Sequence, residues 1–244
     1  MKNATITHVT PIQSFIKGGG RFMLSKFIYS QISSIAKMLN SNNWSDRMMD
    51  RAVDMLERLA DRVEHLSGRI SDNDGYSGPF DSAIDMEIGG SAQAAGEHTI
   101  ASADLSAEIT DTDNASIAVG NATFQAAAEG GAEFVTTDAY SNVSGADFVL
   151  SWTGTTSGKN WETTTTKVLA VDFAFYESNE PVIVAPDSDH HTHSYHNVAD
   201  GNVATAEFDV TANAEDSLVD VYAGVLAIED TYSGSAIDAF LAIG

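Results

Sequence analysis

At 244 residues the chain is long enough to bury a core unaided, and 43% hydrophobic with 9% aromatic residues is the composition of a folded protein. It contains no cysteine, which excludes a disulfide scaffold, thiolate zinc sites and a cysteine nucleophile. Its net charge of −23 is unevenly divided: residues 1–70 carry a balance of +4, and residues 71–244, with Lys159 and Lys167 as their only Lys or Arg, carry −27. A body so acidic repels nucleic acid and anionic lipid, and attracts divalent cations or a basic protein partner. No run reaches the roughly 18 apolar residues of a membrane span, so no transmembrane segment is expected. The best leader candidate, Phe22–Leu39, is broken by Ser25, Lys26 and Lys37. The expectation is a protein without a Sec signal, either cytoplasmic or exported to the cell surface by a non-Sec route.

Residues 1–21 read as an arm, set apart from the next segment by Gly18, Gly19 and Gly20. Leu24, Ile28, Ile32, Ile35 and Leu39 then form an apolar stripe at helical spacing, ending near Asn40. After the short polar connection Ser41–Asn43, a second stripe runs through Met49, Ala52, Leu56, Leu59, Val63, Leu66 and Ile70. Its alternating steps of three and four are a heptad seam. Ser45 suits the N-cap, Asp46 the first turn and Gly68 the stop. Residues 22–70 are therefore expected to form a helical hairpin with a coiled-coil seam. That seam serves either as an oligomerisation or docking interface or as a contact with the body.

Residues 71–96, rich in Ser, Gly and Asp, read as a linker, and residues 97–244 as an acidic β domain. Here alternation of period two takes over. Ala101, Ala103, Leu105, Ala107 and Ile109 share one face, as do Ala204, Ala206, Phe208, Val210 and Ala212, and the two segments superpose at an offset of 103. Each is followed by an acidic turn and a second strand, Ser116–Ala126 or Leu218–Ala227, so a strand-turn-strand repeat is expected. Further strands are expected at Glu133–Thr137, Asp147–Trp152, Val168–Tyr176, Val182–Ala185 and Ala236–Ile243. The last is a core strand, a strand donated to a neighbour or a C-terminal secretion signal. The fold class is α+β, mainly β: the helical head followed by an antiparallel β-sandwich. The many small residues on the apolar faces keep a β-solenoid as the alternative.

One segment concentrates metal-binding groups: Asp187, Asp189, His190, His191, His193 and His196 lie within ten positions. Imidazole with carboxylate suits Zn or Fe. The His191-Thr192-His193 unit resembles the metal-binding start of the cupin motif. That family carries a Glu a few residues on, where this chain has Asn197 or Val198, so the third ligand is missing. The unit also resembles the His-x-His of trimeric phage fibre tips, where three chains share an iron. Asp111 and Asp113 offer oxygens for calcium at a β-turn, and Asp72-Asn73-Asp74-Gly75 opens like a calcium loop without its terminal Glu. No Gly-x-Ser-x-Gly, phosphate-binding loop or dinucleotide fingerprint is present. The sequence points to a non-enzymatic structural or assembly protein that binds cations. It is expected to be a homo-oligomer, self-associating through its helical head as a filament, matrix or surface component. The alternative is a metal-dependent enzyme built on the His190–His196 loop.

Overall fold

The computed structural model describes residues 19–41, 44–74, 83–131, 133–176, 182–184 and 200–244. Among these residues two helices precede ten strands arranged in two sheets. Helix α1 (Gly19–Ser41) starts inside the expected arm, taking Gly19 and Gly20 into helical backbone. The connection to α2 (Asp46–Asp74) is not merely polar, because Trp44 is buried in it. Trp44 adopts a left-handed backbone (φ 50°), its N–H donates to Leu39 O at 3.0 Å and its indole Nε1 to Asn40 Oδ1 at 2.9 Å. Ser45 O accepts the N–H groups of Met48 and Met49, which places Ser45 at the N-cap. The expected stop at Gly68 does not occur. Glycine ends a helix by turning left-handed, and here the helical backbone continues through Asp72, Asn73 and Asp74.

The four-stranded sheet has the order β4-β1-β10-β9, from β1 (Ile84–Ala95), β4 (Phe134–Ser144), β9 (Ser217–Ile228) and β10 (Tyr232–Ile243). The six-stranded sheet has the order β7-β5-β6-β3-β2-β8. Its strands are β2 (His98–Thr112), β3 (Ala115–Glu129), β5 (Phe148–Ser157), β6 (Trp161–Phe173), β7 (Val182–Val184) and β8 (Asn202–Asn213). The described residues form neither a closed barrel nor a solenoid, so the solenoid alternative is set aside. Pairing is mixed rather than wholly antiparallel, since β2–β8 and β5–β7 run parallel. The segment expected as a linker contains β1, a central strand of its sheet. The C-terminal strand β10 is also central, between β1 and β9, and so is a core strand.

The repeat has a direct structural expression. Strands β2 and β8 lie side by side, Thr99 opposite Asn202 and Ile109 opposite Ala212, which is the offset of 103 at which the sequences superpose. Equivalent residues of the two copies are thus spatial neighbours. The second strands diverge, β3 staying beside β2 while β9 joins the other sheet.

Alternation buries one face of each sheet in a shared core containing Ile84, Met86, Ile88, Leu105, Phe124 and Leu241. A second cluster lies on the other face of the six-stranded sheet, where Ile117, Phe148, Leu169, Val171 and Phe173 meet the apolar stripes of both helices. Lys167 ties the two parts together. Its Nζ donates to Trp44 O at 2.8 Å and lies 2.8 Å from Asp46 Oδ1, with the lysine side chain only 12% exposed. Lys167→Met is expected to lower stability by about 1–3 kcal/mol, because Trp44 O loses a charged donor. Urea unfolding followed by helical circular dichroism checks this.

Candidate functional site

The heptad seam faces inward. Met49, Ala52, Leu56, Leu59 and Val63 are buried and Leu66 partly so, all in the cluster formed with α1 and the six-stranded sheet. The side chain of Ile70 lies outside the described residues. Packing on the body is therefore where these residues are placed, and the seam offers no free apolar stripe in this fold.

Of the expected calcium ligands, Asp111 accepts from Ser116 Oγ at 2.7 Å, while Asp113 stands exposed in the turn between β2 and β3. Thr112 Oγ1 donates to Ala115 O at 2.7 Å, and Asn114 Nδ2 donates to Asp61 Oδ1 at 3.2 Å, docking this turn on α2. No cluster of three or more potential metal ligands occurs among the described residues. Asp187, Asp189, His190, His191, His193 and His196 lie outside the described residues. No described helix is long and apolar enough to cross a membrane.

Two surfaces were not legible in the sequence. The first is a cleft of about 480 Å³ between α2 and the β2/β8 side of the sheet. Met49, Val53, Ile117 and Val119 floor it, and Asp50, Asp54, Glu57, Glu108 and Asp209 give it acidic walls. Such a cleft disfavours anionic substrates. On the four-stranded sheet, the Tyr140 phenol donates to Asp238 Oδ1 at 2.9 Å. Burial, followed by the hydrogen bond and charge of Asp238 and then Glu87, holds its pKa above the ordinary value, so it stays protonated and is no base.

The second surface is the side of the molecule formed by β8 and β9. Both are edge strands of twelve residues, one in each sheet, and neither contains Lys, Arg or Pro. On β9 large apolar side chains are exposed on both faces. Val219 and Val225 stand opposite the inward-facing Leu241 and Ser235, whereas Leu218, Tyr222, Leu226 and Ile228 lie on the outer face. On β8, Phe208 stands opposite the buried Leu105 yet is 52% exposed. The opposite side is finished differently. There Glu162 Oε1 accepts the Thr137 N–H of edge strand β4 at 2.7 Å, and Thr137 Oγ1 bonds Thr164 Oγ1 at 2.7 Å, so polar groups from β6 close that end.

Comparison with known proteins adds nothing to this geometry. No protein-family model matches the chain, and no curated protein or solved structure matches it.

Proposed function

We propose that this is a non-enzymatic structural protein that assembles with copies of itself, built as a β-sandwich with a helical hairpin clamped on one face. One observation carries the reading: among the described residues β8 and β9 are a pair of edge strands without the Lys or Pro that commonly guard such edges, β9 with large apolar side chains exposed on both faces and β8 with an exposed Phe208 between Glu207 and Asp209. The acidic surface supports it from another side, since strong like charge keeps such an edge soluble until salt or a divalent cation screens it. This relocates self-association from the helical head to the β body.

Light-scattering mass across sodium chloride and calcium concentrations tests the proposal. The expected result is an oligomer that strengthens with ionic strength. Phe208→Lys combined with Val225→Lys, which installs edge guards at exposed positions, is expected to weaken association at least tenfold while leaving the circular dichroism spectrum intact. A protein of single-chain mass at every salt and protein concentration overturns the assembly reading.

A further inference from the structure

We infer that the β8/β9 side pairs with the same side of a second copy, across a two-fold axis running through both sheets. This rests on the assembly reading and specifies its partner and geometry. The two edges stand at matching heights. Val225 pairs with Ser235, whose Oγ donates to Thr205 O at 2.6 Å, so Val225 and Thr205 lie level. Near the end of the same two strands, Asp230 N donates to Asn202 Oδ1 at 2.7 Å. The chain therefore descends β9 as it ascends β8, and the midpoints of the strands, near Phe208 and near Tyr222, fall at one height.

A single axis perpendicular to the sheets can then pass both midpoints. Rotation about it sets β9 antiparallel to its own copy and, in the same operation, β8 antiparallel to its own copy. The separation between the layers matches without adjustment, because both partners have it. A lone extended peptide satisfies the outward N–H and C=O groups of one edge, which have no strand partner among the described residues, and leaves the other edge without one. A second copy satisfies both.

Size and the apolar side chains agree with this, while the axis at Phe208 also sets Glu207 opposite Asp209 of the copy, a like-charge pair that ties closure to screening by salt or a divalent cation. Two edges of twelve residues are about 40 Å long and the sheets about 10 Å apart, so closure buries on the order of 600–800 Å² per copy, the scale of a stable interface. Phe208, Val219 and Val225 lie at the mouth between the layers, where they would meet their counterparts. The polar closure of the β4 end, with its Thr137 N–H already capped by Glu162, makes that end the poorer partner.

The absence of cysteine gives a clean test. Single variants Leu218→Cys, Tyr222→Cys, Leu226→Cys and Phe208→Cys are oxidised in the full chain and read by non-reducing electrophoresis, beside light scattering of the reduced proteins. A residue near a two-fold axis meets itself, so self-cross-linking is expected to peak at Tyr222→Cys and Phe208→Cys and to fall several-fold at Leu218→Cys. An oligomeric mass without self-cross-linking at any of the four positions overturns the two-fold pairing and leaves self-association standing. The head-to-tail form of that outcome is recognised by a mixed cross-link between Tyr222→Cys and Thr136→Cys chains. Single-chain mass in every reduced variant and in the parent overturns both the pairing and the assembly reading.

Discussion

The double variant Leu56→Asp, Leu59→Asp is expected to lose its helical circular dichroism and to melt far below the parent protein. Leu56 is fully buried and Leu59 nearly so, at 3% exposed, packed among residues of α1 and the outer face of the six-stranded sheet. Each substitution removes a leucine's worth of apolar burial and leaves a carboxyl group in a site that provides no partner for it. The combined loss is expected to exceed about 5 kcal/mol, on the order of the whole stability of many domains. Thermal melts at 222 nm measure it. Retention of the helical signal and melting point, with a fall in oligomeric mass alone, would return the seam to the role of an interface between chains.

A second large effect is expected in the core between the sheets. Phe124 is completely buried on β3, and its ring edge rests against Gly90 of β1. A Cβ on Gly90 would meet Phe124 Cε2 at 2.7 Å, and it would also overlap the backbone oxygen of Asp138 on the neighbouring β4. Phe124→Ala is expected to cost about 3–5 kcal/mol through lost burial and the cavity left behind. Gly90→Ala is expected to be comparably damaging, because backbone cannot step aside as a side chain can. In a double-mutant cycle the two changes should be coupled, with Phe124→Ala relieving the ring overlap alone. The strain against Asp138 O remains, so rescue is partial. Chemical denaturation of the four proteins measures the coupling energy, and strict additivity would show that ring and glycine do not share the site.

The helices were readable because a repeat of three and four has few other uses, and Leu24 through Leu39 and Met49 through Val63 fall on the buried faces. What the heptad does not encode is which molecule covers it. Alternation likewise revealed nine of the strands, while β1 was concealed by its composition. Ile84, Met86 and Ile88 alternate with Asp85 and Glu87, but Gly89 to Ala95 contains no β-branched residue, and that stretch imitates a linker. In the fold these small residues suit a strand pressed between two neighbours, Gly89 facing Asp238 and Gly90 lying against Ala139. The open side was concealed for a different reason. Strands β2 and β8 share one pattern, yet one is interior and the other an edge. Periodicity reports the face a residue occupies, whereas an edge is defined by the absence of a neighbour.

The pairing of β1 with β10 also governs how the protein reaches its native state. Ile84 sits opposite Ile243 and Ala95 opposite Tyr232, so a central pair of the four-stranded sheet joins segments from distant parts of the chain. The hairpins β2–β3 and β5–β6 close over short loops and can form early. By contrast β1 can pair with β4 along one edge, but its other edge must wait until β10 has been synthesised and has found it. Loop closure over such a distance delays folding into the millisecond-to-second range of non-local β topologies. During that interval an apolar strand is open to wrong partners, and the dense negative charge of the surrounding chain is then its principal protection against aggregation.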